Sequence, residues 1–254
     1  MKIVRQILKV QEFSGLSGFY CDYLGMRSFG RPETPLFGFD PDYCLLAFRA
    51  GATAPYQAES NDFYWKIGIT LRNLDAAVAY LRQRGLELPE PRQFRDIGYL
   101  THLKDPKGLA IELLQQGFEG RSEPIGSGHP IGCQATLAHI TLRVTKIAAA
   151  KAYFEDRLGM RLMSVQPVPD RDFCLYFYTW SDEALPSADL KAVENREWLW
   201  RRPYTLIELQ HLEASGASVH KPDPGRAGFD GFAYKAQDMP ELRYVTQADL
   251  SALD

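Results

Sequence analysis

One short string occurs twice in the chain, and it limits the possible folds more than any other feature. Residues 19–27 read FYCDYLGMR and residues 153–161 read YFEDRLGMR. Both begin with an aromatic pair and share D-x-L-G-M-R. Each follows an apolar strand-like run, Ile7-Leu8-Lys9-Val10 before the first and residues 139–144, HITLRV, before the second. A repeat of this kind marks one supersecondary unit written more than once. A third, divergent copy lies between them. Residues 64–71, YWKIGITL, alternate as a half-buried strand does. Asn73 and Asp75 offer helix caps, Leu74, Ala77, Val78 and Leu81 recur at helical spacing, and Gly85 suits a left-handed helix end. Two further strands, 95–103 and 109–115, flank Asp105-Pro106-Lys107-Gly108, a turn sequence. The unit therefore reads β-α-β-β-β. A fourth copy opens near 231–236, GFAYKA, with room for one strand and a short helix around 240–250.

These repeats predict an α+β fold of βαβββ modules paired into curved mixed sheets around a cavity. Residues 118–132 are rich in Gly, Ser, Pro and charge, as linkers are. The expected organisation is an N-terminal domain of two modules over 1–117, a linker over 118–134, and a C-terminal domain over 135–254 with one full and one truncated module.

The chain has 254 residues and a net charge of −3, with both signs mixed along it. That pattern argues against a nucleic-acid or anionic-membrane partner, which needs a concentrated basic face. No apolar run reaches the ~20 residues of a membrane span, and Lys2, Arg5 and Lys9 interrupt the N-terminal stretch where a signal peptide would need an unbroken apolar region. Cys21, Cys44, Cys133 and Cys174 are scattered, with no C-x-x-C pair for a zinc ribbon. A disulfide-free, cytoplasmic protein is the expectation.

The D-x-L-G-M-R helix end, the IGI strand and the hairpin DPKGLAIEL resemble the vicinal-oxygen-chelate superfamily, which includes glyoxalase I. The order LRV, FEDRLGMRL, FCLYFYTWSDE, REWLWRRPYTLIELQH and DPGRAGFDGF over about 137–236 is similar to glyoxalase I itself. The resemblance implies paired modules around a divalent metal, each module giving one ligand from its first strand and one from its last. Such a metal holds two neighbouring substrate oxygens and acts as a Lewis acid.

Carried over position by position, the resemblance makes His139 the first-strand ligand and Glu208 the last-strand ligand, with Glu208 also a candidate proton-transfer base. Zinc, nickel, iron and manganese all accept such a pair. Glu112, in AIEL, is a weaker ligand candidate. Arg143 falls where glyoxalase I holds a glutathione carboxylate, although Leu212 stands where that family has an asparagine. Arg5 and Lys66 occupy the first-strand positions of the two N-terminal modules. There they suit either a relic ion pair with Glu112 or an anion pocket for a carboxylate or phosphate. The fourth module offers Gly231 in place of a histidine, leaving a half-site that a second chain of a homodimer would complete. His102 is expected opposite Ile111, facing away from Glu112, and His129 and His220 in exposed loops. His211 ranks below Glu208. The tryptophans of EWLWRR read as a packing corner.

The functional expectation is a metal-dependent lyase or isomerase acting on a small carbonyl or thiol-conjugated ligand. A non-catalytic drug- or metabolite-binding protein of the same fold is the alternative. An extradiol-type dioxygenase, which needs a second histidine, ranks lower.

Overall fold

In the computed structural model the D-x-L-G-M-R repeat is a helix-ending device made twice. Gly18–Tyr23 and Ala152–Arg157 are π-helical. In the first copy the amides of Leu24, Gly25 and Met26 donate to the carbonyls of Phe19, Cys21 and Tyr20. In the second, those of Leu158, Gly159 and Met160 donate to Tyr153, Glu155 and Phe154. Gly25 and Gly159 sit at φ of 70° and 65°, where a Cβ would be strained. The shared letters thus satisfy the last helical carbonyls and turn the chain into the following strand.

The structure describes residues 1–220, 223, 225–236, 241–250 and 253. The first module holds β1 (Lys2–Val10), β2 (Arg27–Ser28), β3 (Leu36–Gly38) and β4 (Leu45–Ala50). The second holds β5 (Tyr64–Leu71), the helix Leu74–Gln83, β6 (Arg92–Phe94), β7 (Gly98–Lys104) and β8 (Ala110–Gln115). Asn73 caps that helix through Oδ1 to the amide of Ala76, and Leu74, Ala77, Val78 and Leu81 are its buried stripe. The third module holds β9 (Thr136–Val144), β10 (Arg161–Val168), β11 (Phe173–Thr179), the helix Glu194–Trp200 and β12 (Leu206–Leu212). The last holds β13 (Gly228–Lys235), β14 (Arg243–Thr246) and the helical turn Gln247–Leu250. Pro240 lies outside the described residues. The α+β fold of repeated modules in curved mixed sheets is as expected.

The pairing of modules is not the one chain order suggests. The eight-stranded sheet runs β10-β11-β12-β9-β5-β8-β7-β6, so the second and third modules join across the antiparallel pair β5–β9. The six-stranded sheet runs β14-β13-β1-β4-β3-β2, joining the first module to the last across β1–β13. Neither residues 1–117 nor residues 135–254 contain a whole sheet. Segment 118–134 has no strand or helix. It is nevertheless anchored: Arg121 pairs with Glu197 at 2.8 Å, and His129 Nδ1 accepts the amides of Ile131 and Gly132.

One continuous core takes side chains from both sheets, among them Leu8, Leu46, Ile69, Leu113, Ile140, Leu209 and Phe232. Gln6 donates to the Tyr64 hydroxyl and Tyr20 donates to Asp105, tying the sheets together through buried polar contacts. A second apolar cluster, containing Leu100, Leu114, Leu175, Phe177 and Trp200, lies on the other face of the eight-stranded sheet. The strand β11 is apolar on both faces because it contributes to both clusters: Tyr178 to the first and Leu175 and Phe177 to the second. All four cysteines are free. Among the described residues no helix is long and apolar enough to cross a membrane.

Candidate functional site

The β5–β9 pairing brings Lys66, Glu112, His139 and Glu208 to one place. Glu112 stands beside Gly68 in the parallel pair β5–β8, and Glu208 stands beside Thr141 in the parallel pair β9–β12. Lys66 and His139 each lie two residues earlier on those inner strands. They are counterparts in the two modules, as are the two glutamates. All four are buried: Lys66 and Glu112 are 4% exposed, His139 1% and Glu208 2%.

The contacts are unequal. Lys66 Nζ donates to Glu112 Oε2, and His102 Nε2 lies 3.1 Å from the same oxygen. His139 Nε2 lies 3.2 Å from Glu112 Oε1 and 3.3 Å from Glu208 Oε2. Burial alone would raise the Glu112 carboxyl. The Lys66 ammonium and the two imidazoles outweigh burial and hold it well below the usual carboxylate range. Neither ring nitrogen of His139 has an aligned hydrogen-bond partner, despite its two close carboxylate oxygens. No lysine or arginine pairs with Glu208 among the described residues, whereas Glu112 has Lys66, so the Glu208 carboxylate is the freer of the two.

Local sequence explains how this geometry is reached. A register shift between Tyr64 and Lys66 places a bulge at Trp65. Tyr64 points into the core, while Trp65 and Lys66 both turn to the opposite face, as a bulge permits. Gly68 lies between Glu112 and His139 across the ladder. A Cβ there would stand 2.0–2.4 Å from three atoms of the His139 ring. The glycine of the IGI strand therefore makes room for the imidazole.

Lys66, Glu112 and Glu208 line the floor of a cavity of about 320 Å³; His139, buried against the two carboxylates, is not itself among the lining residues. The cavity walls are apolar, including Phe94, Ile97, Phe173, Leu175, Phe177 and Trp200, and Arg92 and Arg171 also line it. The Trp200 indole donates to the Ile97 carbonyl and packs edge-on to Phe177, so the EWLWRR helix is a cavity wall. Trp65 lies under two cations, with Lys66 Nζ 4.5 Å and Arg143 4.8 Å from its ring centre.

Several sequence expectations change place. His102 does not face away. The connection between β7 and β8 has five residues, with Lys104 opposite Ala110, because the amide of Asp105 donates to Leu109 and that of Gly108 to Asp105. Compared with a four-residue turn, this moves the register by one and turns His102 onto the face of Glu112. Arg143 is not among the residues lining the cavity. Its Nε donates to Gln210, and its Nη1 to the carbonyls of Glu59 and Asp62. Arg5 lies in the other sheet and does not meet Glu112, whereas Lys66 does. Arg92 and Arg171 went unnoticed in the sequence, since surface arginines carry no periodic signal. His211 lies 3.5 Å from Glu213, and exposed His220 lies 3.1 Å from Glu59.

His139 has ion-like spacing to each carboxylate singly, but its donor atom and those of Glu112 and Glu208 do not all lie within 4.8 Å of one another, so as the side chains stand one ion takes His139 and one carboxylate, not all three. Two donors each bonded at about 2.0–2.2 Å to one ion stand about 3.0–3.5 Å apart at tetrahedral or octahedral angles. His139 Nε2 stands at such separations from Glu112 Oε1 and Glu208 Oε2, with neither contact aligned as a hydrogen bond. Lys66 donates to the far oxygen of Glu112, as an outer partner of a ligating carboxylate does, and His102 Nε2 stands 3.1 Å from that oxygen without an aligned hydrogen bond.

No protein-family model matches the chain, and no curated protein matches it in sequence. Solved structures do match. Glyoxalase I from Zea mays superposes with a TM-score of 0.61 at 17% identity, covering 89% of this chain and 72% of that one. A putative dioxygenase from Bacillus subtilis superposes with a TM-score of 0.50 at 17% identity, covering 90% and 66%. The chain has the vicinal-oxygen-chelate fold and is similar in structure to glyoxalase I.

Proposed function

We propose that the cavity is the active site of a metal-dependent lyase or isomerase of the glyoxalase I type. Its substrate is a small carbonyl compound, free or thiol-conjugated, with an apolar body and an anionic substituent. The observation that carries this reading is His139 Nε2 set 3.2 and 3.3 Å from two buried carboxylates on the floor of an apolar cavity. His139 with one of the two carboxylates would hold the ion, which when bound would supply Lewis acidity towards a carbonyl oxygen.

The chain's own residues divide the remaining work. Glu112 is fixed by Lys66, with His102 beside it, and serves as an anchor. Glu208 lines the cavity without a lysine or arginine partner among the described residues and is the group to accept a proton from the carbon beside the carbonyl and return it. Two carboxylates in different surroundings take different roles, as in other acid–base sites. Lys66 lines the cavity and offers a positive charge towards an oxygen on which negative charge develops. The aromatic walls exclude water and take the apolar body, while Arg92 and Arg171 are placed for the anionic substituent, the task expected of Arg143.

The test is metal content by elemental mass spectrometry of tag-free protein, together with turnover of thiol adducts of 2-oxoaldehydes. One ion per chain, lost in His139→Ala, is expected. Glu208→Gln should lower turnover by about 10²–10⁴-fold, the usual worth of a general base. No ion retained after incubation with zinc, nickel, iron and manganese would sink the reading. A second reading, a metal-free ligand-binding protein of the same fold, is favoured by the Lys66–Glu112 pair, which already neutralises one carboxylate. Ligand binding without metal or turnover would establish it. A dioxygenase of the two-histidine type is less favoured, since His102 meets Glu112 at the oxygen turned away from His139.

A further inference from the structure

The six-stranded sheet has a cavity of its own, about 460 Å³, lined by residues of β1, β3 and β4 and the loop before β3. The ladder registers relate it to the first site. Ile7 stands beside Ala47 in the parallel pair β1–β4, as Gly68 stands beside Glu112 in β5–β8. Ile7 also faces Gly231 across β1–β13, as Gly68 faces His139 across β5–β9. The counterparts of Lys66, Glu112 and His139 are therefore Arg5, Ala47 and Gly231. The carboxylate and the imidazole have been replaced by residues with no donor atom, and the cation has been kept.

Gly231 cannot regain a side chain. Its φ is 130°, and a Cβ would stand 2.2 Å from the Val245 carbonyl oxygen. The position is closed to a metal-binding residue by backbone packing. The cation, in contrast, is joined by others. Arg5, Arg31 and Arg49 all line the cavity, and no acidic residue does. Arg49 shares Asp230 with Lys9, at 3.4 and 3.3 Å, so that carboxylate does not neutralise it. The Arg5 and Arg31 side chains have no hydrogen-bond or ion-pair partner among the described residues. Phe29, Pro35 and Leu36 supply apolar wall. Three guanidinium groups around one cavity repel one another, and an anion among them reverses that sign while using their fixed donor forks.

We propose that this cavity is a second ligand site, distinct from the Glu112–His139–Glu208 site, that binds a small organic anion carrying two negative charges and an apolar group. It does not depend on metal in the first site or on the reaction proposed there. Isothermal titration of the full chain at low ionic strength tests it, with phenyl phosphate and phthalate as the probes and benzyl alcohol as the neutral control. Saturable binding of at least one dianion is expected, weakening as salt is raised, with no heat from the alcohol. Arg5→Gln and Arg31→Gln should each weaken binding about tenfold or more, the scale of a lost charge-assisted contact. Arg31 is exposed, so its variant keeps the test open if the Arg5 variant fails to fold. Glu208→Gln, which alters the first cavity alone, should leave the affinity unchanged. Phosphate binding without phthalate binding would identify a phosphomonoester site, and the reverse a dicarboxylate site. The proposal is overturned by three results: no dianion binding at millimolar concentration, binding that both arginine variants retain, or binding that Glu208→Gln removes.

Discussion

Gly68 shows how much of the first site rests on a missing side chain. Gly68→Ala would drive a methyl into the His139 ring. The expected cost is about 1–3 kcal/mol, the range for overpacking a tight interior, read from the denaturant midpoint, and metal retention should fall with it. Lys66→Met leaves Glu112 buried with only imidazole partners. A loss of about 3 kcal/mol is expected, the scale for breaking a buried pair from one side. The same pair sets an acid dependence. Glu112 is held well below its ordinary value of 4.5, so its share of stability is fully present above that value and is lost as the pH falls through the depressed one. Glu112→Gln should flatten the fall in stability below about pH 4.5, as followed by unfolding at a series of pH values. A flat wild-type profile there would contradict the ion pair. At this scale the sequence was informative where a position repeats between modules: His139, Glu208, Glu112 and Lys66 were all legible as first- and last-strand residues. Their convergence was not, since nothing in one strand says which other strand lies beside it.

Among the elements, the β7–β8 hairpin and the bulge at Trp65 mark where reading by pattern stops. Asp-Pro-Lys-Gly announces a turn, but whether Leu109 belongs to it depends on one backbone hydrogen bond, from the amide of Asp105 to the carbonyl of Leu109. That single residue decides which face His102 takes. At Trp65 an inserted residue lets two neighbours face the cavity, which strict alternation forbids. The helices were easier, because caps, stripe and glycine ends all agree. A prediction belongs to β4. Cys44 is buried just before it, and burial pushes its thiol up to about 12. It should resist alkylation at pH 8 in the native protein and react on unfolding, measured by mass shift against time. Rapid native labelling of Cys44 would mean that the six-stranded sheet opens easily at β4.

For the whole molecule, the sheets join what the chain separates. A linker composition at 118–134 invites a cut there, yet the ladders β5–β9 and β1–β13 both cross it. Separate chains 1–117 and 118–254 are expected to be unfolded alone and to regain structure when mixed, as judged by circular dichroism. Independent folding of either piece would restore the two-domain division. The shared core further predicts one cooperative thermal transition, because neither sheet can lose its partner without exposing apolar surface of the other. Sequence patterns carried the modules but not their partners. Local periodicity is settled within a few residues, whereas the choice of partner is settled by contacts from 66 residues (Thr70 with Thr136) to 233 residues (Lys2 with Lys235) away.

The ladders nest as brackets do, with the inner pair β5–β9 enclosed by the outer pair β1–β13. On a ribosome the two would close at different times. The strands of the inner sheet have all emerged once β12 has appeared, whereas β1, made first, must wait for a partner more than two hundred residues downstream. During that interval β1, paired with β4 on one side only, presents an unpaired strand edge, the kind of surface on which chains aggregate. The charges on β1, Lys2, Arg5 and Lys9, lie along that waiting edge. On this view the arginine that the finished molecule turns towards an anion also keeps the unfinished one from sticking to its neighbours.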